Sequence, residues 1–147
     1  MCEISIRPFQ LADNPGVIEL WFICELVRPW NNPQRDIERK MGEHPELFLV
    51  AESDSRLIGS CMAGYEGHRG WIYYLAVHPD FQRRGLAAHL MQRAETALTS
   101  IGCPKLELMI RNTNLPVVAF YKSIGYEEEP AVVMSKRLIE DALYDRG

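Results

Sequence analysis

The chain is predicted to fold as α+β, with a mostly antiparallel sheet flanked by helices, and three observations carry that prediction. Three strand-like runs follow one another: Leu47 to Ala51, Leu57 to Tyr65 and Trp71 to Val77. Turn residues separate them, as expected of strands joined by hairpins. The pattern then switches to helical spacing over Gly85 to Ile101 and back to a strand at Leu106, Leu108 and Ile110. That strand–helix–strand unit sits at the centre of one domain spanning residues 1–147. Finally, 147 residues, 47% of them apolar, suit a single core.

The elements read in order as follows. Ile4 and Ile6 alternate with polar neighbours before Pro8, a short opening strand. Asn14-Pro15 offers an N-cap and a proline at the first helical position, and Val17, Ile18, Leu20, Trp21, Ile23 and Cys24 supply one broad apolar face. Arg28-Pro29-Trp30-Asn31 breaks that helix. Asn32-Pro33 then repeats the start signal for a more polar helix running to about Met41. In the long helix after Gly85, Leu86, Leu90, Met91, Ala94, Ala97, Leu98 and Ile101 recur on one face, and Gly102 and Pro104 stop it. A helix from about Leu115 to Ile124 closes on Gly125, and Val132 to Leu138 is predicted as a final strand.

Composition excludes several classes. A net charge of −4 argues against a nonspecific grip on nucleic acid or an anionic membrane. No apolar run reaches the roughly 20 residues of a membrane span. The start of the chain lacks the layout of a signal peptide, so a cytoplasmic location is expected. Cys2, Cys24, Cys61 and Cys103, like His44, His68, His78 and His89, show no metal-ligand spacing. The cysteines read as small apolar residues, and no metal is expected.

The chemistry concentrates in two segments. In the first, the strand ending Leu75-Ala76-Val77 leads through His78-Pro79-Asp80-Phe81 to Gln82-Arg83-Arg84-Gly85-Leu86-Ala87-Ala88 at the start of the long helix. Unpaired amides in a helix's first turn, the helix dipole, two arginines and a glycine make an anion site suited to a pyrophosphate. A solvated helix start with a turning glycine is the plainer reading. The second segment runs from Asn112 to Tyr126 and includes Asn114, Ala119, Phe120, Tyr121 and Gly125. Here Asn114 suits a helix cap and Tyr121 a core aromatic.

Together the two segments resemble the GNAT N-acetyltransferases. Gln82 to Ala87 matches that family's Q/R-x-x-G-x-G/A acyl-CoA motif, and Asn114, Ala119, Phe120, Tyr121, Gly125 and Tyr126 match its second signature. More narrowly, the chain resembles the small, stand-alone bacterial members of the YpeA kind. The resemblance extends in element order from Ile4 to Leu138. It implies acetyl-CoA as co-substrate, with the backbone of Leu75, Ala76 and Val77 pairing with the pantetheine arm. A backbone N–H there would stabilise the oxyanion. It further implies that Arg83 to Ala88 cradle the pyrophosphate, that Asn114 binds the pantetheine amides and that Tyr121 protonates the departing thiolate. The resemblance also implies direct transfer to a small amine or peptide amine, with no role for the cysteines.

The general base is where the match weakens. Ribosomal-protein N-terminal acetyltransferases of the family use a glutamate at the position of Met109, and methionine is no base. Glu107 lies two residues earlier on the same strand face. Glu66, in the turn Glu66-Gly67-His68-Arg69, is taken as the base, acting through water, with a solvated turn charge as the plainer reading. Arg28 and Trp30 are candidate acceptor contacts, with Trp30 as a loop anchor the alternative. Glu127-Glu128-Glu129 reads as a solvated turn. A catalytically silent acyl-CoA sensor remains the alternative function, and a homodimer through the last strand is a possible assembly.

Overall fold

The structure, a computed structural model, describes residues 3–146, so Cys2 lies outside it. Five strands form one sheet in the order β1-β2-β3-β4-β5. They are β1 (Ser5–Pro8), β2 (Phe48–Ser53), β3 (Arg56–Tyr65), β4 (Gly70–Val77) and β5 (Leu106–Leu108). Neighbours are antiparallel except β4 and β5, which run parallel because α3 (Leu86–Ser100) carries the chain between them. The remaining helices are α1 (Asn14–Ile23), α2 (Pro33–Met41) and α4 (Leu115–Ser123). No described helix is long and apolar enough to cross a membrane.

The continuous apolar run in β2 is explained by burial on both faces. Phe48 and Val50 join Val17, Ile18, Leu20 and Trp21 of α1 and Ile37 of α2 in one core. Leu49 and Ala51 join Leu86, Leu90, Met91, Ala94 and Leu98 of α3, with Tyr121 of α4, in the other. Each helix therefore buries one stripe against the sheet.

Two boundaries differ from the sequence reading. Asn14 is the first residue of α1 and not its cap, because a 3-10 turn over Leu11–Asp13 precedes it. Asp13 takes the cap position, but Arg7 occupies its carboxylate at 2.7 and 2.9 Å. Asn32, in contrast, caps α2 as the pattern indicates, its Oδ1 accepting from the Arg35 N–H at 3.2 Å. β5 stops at Leu108, short of Ile110.

The predicted strand from Val132 to Leu138 is not formed. Its residues pair with no strand, and Val132 and Leu138 are 86% and 88% exposed. Alternation alone makes no strand without a partner edge. Beyond it the chain is anchored to the opposite layer. Asp141 pairs with Arg39 at 2.6 Å, the Ala142 carbonyl accepts from Asn32, and Tyr144 packs beside Phe22.

Candidate active site

The central feature is a gap between two parallel strands. β4 and β5 pair through Gly70–Leu106, Trp71–Glu107 and Ile72–Leu108, and there the pairing ends. β4 continues to Val77, so the edge from Tyr73 to Val77 faces no strand. A bulge accompanies the parting. Ser60 pairs with Ala76 and Met62 with Tyr73, leaving Cys61 opposite both Tyr74 and Leu75. Tyr74 sits at φ +53°. A side-chain-bearing residue in that left-handed region costs about 1–2 kcal/mol.

Several contacts hold Tyr74 there. The Ser60 hydroxyl donates to its carbonyl at 2.8 Å, and the Trp21 indole N–H donates to the same Ser60 oxygen at 2.9 Å. The Trp21 and Tyr74 rings stack with centroids 3.7 Å apart. The Tyr74 hydroxyl donates to Asp36 at 2.5 Å and accepts from Asn31 at 2.6 Å.

At the far end of the open edge, the loop from His78 to Gly85 delivers the chain to α3. Gln82 donates from its side-chain amide to the Val77 carbonyl at 3.0 Å, which folds the loop back over the strand end. Arg84 lies over the Phe81 ring at 5.4 Å. Arg83 and Gly85 both take left-handed backbone angles, φ +64° and +81°. At Gly85, an added side chain would meet nothing within 4 Å but would be strained. The glycine thus serves the turn and leaves its surface open. The first-turn amides of Leu86, Ala87 and Ala88 have no acceptor within the helix and point out of its N-terminus. Leu86 itself is buried in the core.

Asn114 stands at the N-cap position of α4, yet its side chain makes no capping bond. It is exposed and available to a ligand. Tyr121 is 7% exposed, packed edge-on against Phe120 and Tyr126 at 5.0 and 5.6 Å. Tyr126 in turn donates to Glu95 at 2.5 Å. Burial holds the Tyr121 phenol well above its ordinary range, with the nearby Cys61 thiol adding to the shift. Cys61 itself is fully buried and pushed up to about 12, while burial also raises Cys24, whose thiol donates to the Val77 carbonyl. Neither resembles a reactive thiolate.

The remaining sequence candidates separate. Glu66 turns inward on its own hairpin, its carboxylate accepting from the backbone N–H groups of His68 and Arg69 at 3.2 and 2.5 Å. Glu107 pairs with Arg69 at 3.3 Å and stands one residue before the last β4–β5 pair. Met109, just past the parting, is half exposed. Trp30 is 55% exposed and lies under the Arg111 guanidinium at 5.5 Å, so it bridges to the chain leaving β5. The exposed Arg28 holds the loop through its backbone N–H, which donates to Asn31 at 2.6 Å. Sequence reasoning passed over Tyr74, Asp36, Asn31 and Arg111. Only their distance from one another in the chain concealed them.

Comparison with known proteins agrees with this arrangement. The acetyltransferase (GNAT) family model matches residues 15–126. A protein named acetyltransferase in Yersinia enterocolitica is 50% identical over 141 residues, 96% of this chain and 100% of its own length. An acetyltransferase of Pectobacterium atrosepticum shows the same identity and coverage. Among solved structures, the aminoglycoside N-acetyltransferase AAC(6')-Iy in complex with CoA superposes with a TM-score of 0.76 at 16% identity, covering 95% of this chain and 97% of that one. The ribosomal-protein-S18-alanine N-acetyltransferase from Escherichia coli gives 0.73 at 19% identity, over 86% and 79%. The structural likenesses carry the fold, and the family match carries the rest: the chain belongs to the GNAT acetyltransferases.

Proposed function

We propose that the protein transfers the acetyl group of acetyl-CoA directly to a primary amine. The observation that carries this reading is the unpaired β4 edge from Tyr73 to Val77, which runs from a backbone bulge to the open first turn of α3. An extended arm bearing amides completes such an edge as an added strand would. The backbone of Leu75, Ala76 and Val77 holds the pantetheine arm, with the free Asn114 amide contributing from the other side. Arg83, Arg84 and the amides from Gly85 to Ala88 hold the pyrophosphate, and Gln82 keeps their loop in shape. Acetyl-CoA supplies an activated thioester whose carbonyl the amine attacks.

As the amine adds, an N–H of the bulge stabilises the charge on the thioester oxygen. The Tyr121 phenol, kept protonated by its burial, gives its proton to the departing sulfur. Cys61, fully buried, and Cys24, half-buried, both have thiols held above their ordinary range, which disfavours either as an acyl carrier. The amine must also lose a proton. Glu107 stands beside the parting of β4 and β5, so we assign that task to it, through water, with Arg69 orienting it; Glu66, whose carboxylate accepts from its own turn, is the alternative base. Arg28 and Trp30 line the acceptor side.

Calorimetric titration with acetyl-CoA tests the reading. Wild type should bind, and the variant combining Arg84→Glu with Gly85→Asp should bind about 10²-fold more weakly, one reversed charge and one added negative charge together being worth about 3 kcal/mol. Equal binding by a folded variant would remove the site. Thiol release with a panel of amines then separates an enzyme from a silent acyl-CoA sensor, for which the exposed Met109 at the usual base position speaks. For the base, Glu107→Gln should lower kcat about 10²-fold with the Kd for acetyl-CoA unchanged. Glu66→Gln should leave kcat unchanged, and the reverse outcome would return the role to Glu66.

A further inference from the structure

Four separate parts of the chain converge on the one strained residue of the bulge. Trp21 of α1 stacks on the Tyr74 ring, Ser60 of β3 binds its carbonyl, Asp36 of α2 accepts from its hydroxyl, and Asn31 donates to that hydroxyl. The ring stack and the Ser60 bond fix where the bulge lies. The hydroxyl bonds do something different, because Asn31 belongs to the Arg28–Asn31 loop, which spans the acceptor side.

The neighbouring residue of that loop reaches the opposite lip. Trp30 packs under Arg111, on the chain that has just left β5. Two consecutive residues therefore tie the loop to both sides of the gap, Asn31 to β4 and Trp30 to the end of β5. Any movement of the loop on acceptor entry passes through Asn31 to the Tyr74 hydroxyl, and from there to the bulge backbone that polarises the thioester.

We propose that Tyr74 is a positioning residue for acetyl transfer: its hydroxyl, held between Asp36 and Asn31, aims the bulge amide at the thioester oxygen and couples that aim to the acceptor loop. The inference rests on the coenzyme reading above. Tyr74→Phe keeps the stacking ring and removes only the hydroxyl. The geometry requires the bulge amide to drift while the pyrophosphate loop, at the other end of the edge, stays in place. Coenzyme affinity and carbonyl polarisation should therefore part company.

The test is isotope-edited infrared spectroscopy of acetyl-CoA labelled with 13C at the thioester carbonyl, bound to wild type and to Tyr74→Phe, alongside calorimetry with the same ligand. In wild type the bound carbonyl band should lie below its position in free acetyl-CoA. In Tyr74→Phe it should return toward the free position with Kd unchanged, and single-turnover acetyl transfer to an amine identified by the panel should slow about 10-fold to 10²-fold, the scale of a small misplacement of reacting groups. Asn31→Ala, a change at the edge of the core that threatens folding little, should move the band in the same direction by a smaller amount. A purely structural role would lower thermal stability and leave the band of the folded fraction where it was. Identical bands and rates in wild type and both variants would overturn the positioning role alone. Failure of wild type to bind acetyl-CoA would overturn the coenzyme reading and this inference with it.

Discussion

Tyr121→Phe should lower kcat by roughly 10²–10⁴-fold, the usual contribution of a positioned general acid, while the Kd for acetyl-CoA stays as it is. The substitution is isosteric apart from the hydroxyl. The ring's edge contacts with Phe120 and Tyr126 persist, and Tyr126 keeps its own bond to Glu95. No hydrogen bond of the Tyr121 hydroxyl occurs among the described residues, and desolvation dominates its shift. Its removal therefore costs the fold little, and the thermal midpoint should barely move. The direction of the shift also sets the pH behaviour. A phenol whose proton is held more tightly than usual remains an acid throughout the working range, so the alkaline side of the rate profile should show no loss traceable to Tyr121. At low pH the amine becomes protonated, and that limb belongs to it. Stopped-flow measurement of thiol release, with coenzyme saturating, separates the chemical step from binding. A kcat within twofold of wild type would reduce Tyr121 to a packing residue.

What the sequence disclosed and what it concealed divide along one physical line. Features set by local pattern were legible. The helical recurrence from Leu86 to Leu98, the Asn32-Pro33 start of α2 and the left-handed Gly85 turn each follow from neighbours within a few residues. Features set by distant partners were not. The bulge at Tyr74 lies within an unbroken apolar strand, and only Trp21, Ser60, Asp36 and Asn31 make it stable. The end of β5 at Leu108 reflects the parting from β4, whereas alternation continues through Ile110. Asn14 begins α1 instead of capping it, because a 3-10 turn over Leu11–Asp13 precedes it. Val132 to Leu138 carries a strand's pattern and lacks a strand's partner. From sequence Glu66 is taken as the base, and that its carboxylate accepts from the His68 and Arg69 amides is visible only in the folded turn. The proposed coenzyme half of the site thus rests on contiguous motifs, and its proposed acceptor half draws on residues from four places in the chain.

Trp21→Ala should destabilise the fold by about 3–5 kcal/mol, the range for emptying a large aromatic site in a core. Trp21 is fully buried between the Phe48 ring at 6.0 Å and the Tyr74 ring at 3.7 Å. Alanine removes the indole volume, both stacking contacts and the N–H that donates to Ser60. Ser60 is itself fully buried, so its hydroxyl oxygen loses its donor in a place where water cannot substitute. A domain with the usual 5–15 kcal/mol of stability is left marginal by such a loss. Trp21→Phe divides the effect. It keeps an aromatic ring against Tyr74 and forfeits the Ser60 bond, which should cost about 1–3 kcal/mol. Urea unfolding of the three proteins, followed by the shift of midpoint at constant m, measures both steps. The contact set requires the alanine variant to lose clearly more than the phenylalanine variant. If the two lose the same amount, the hydrogen bond alone fastens α1 to the bulge and the stacked rings contribute nothing. If neither loses stability, α1 does not support the strained strand, and the bulge must be held from the coenzyme side of the sheet.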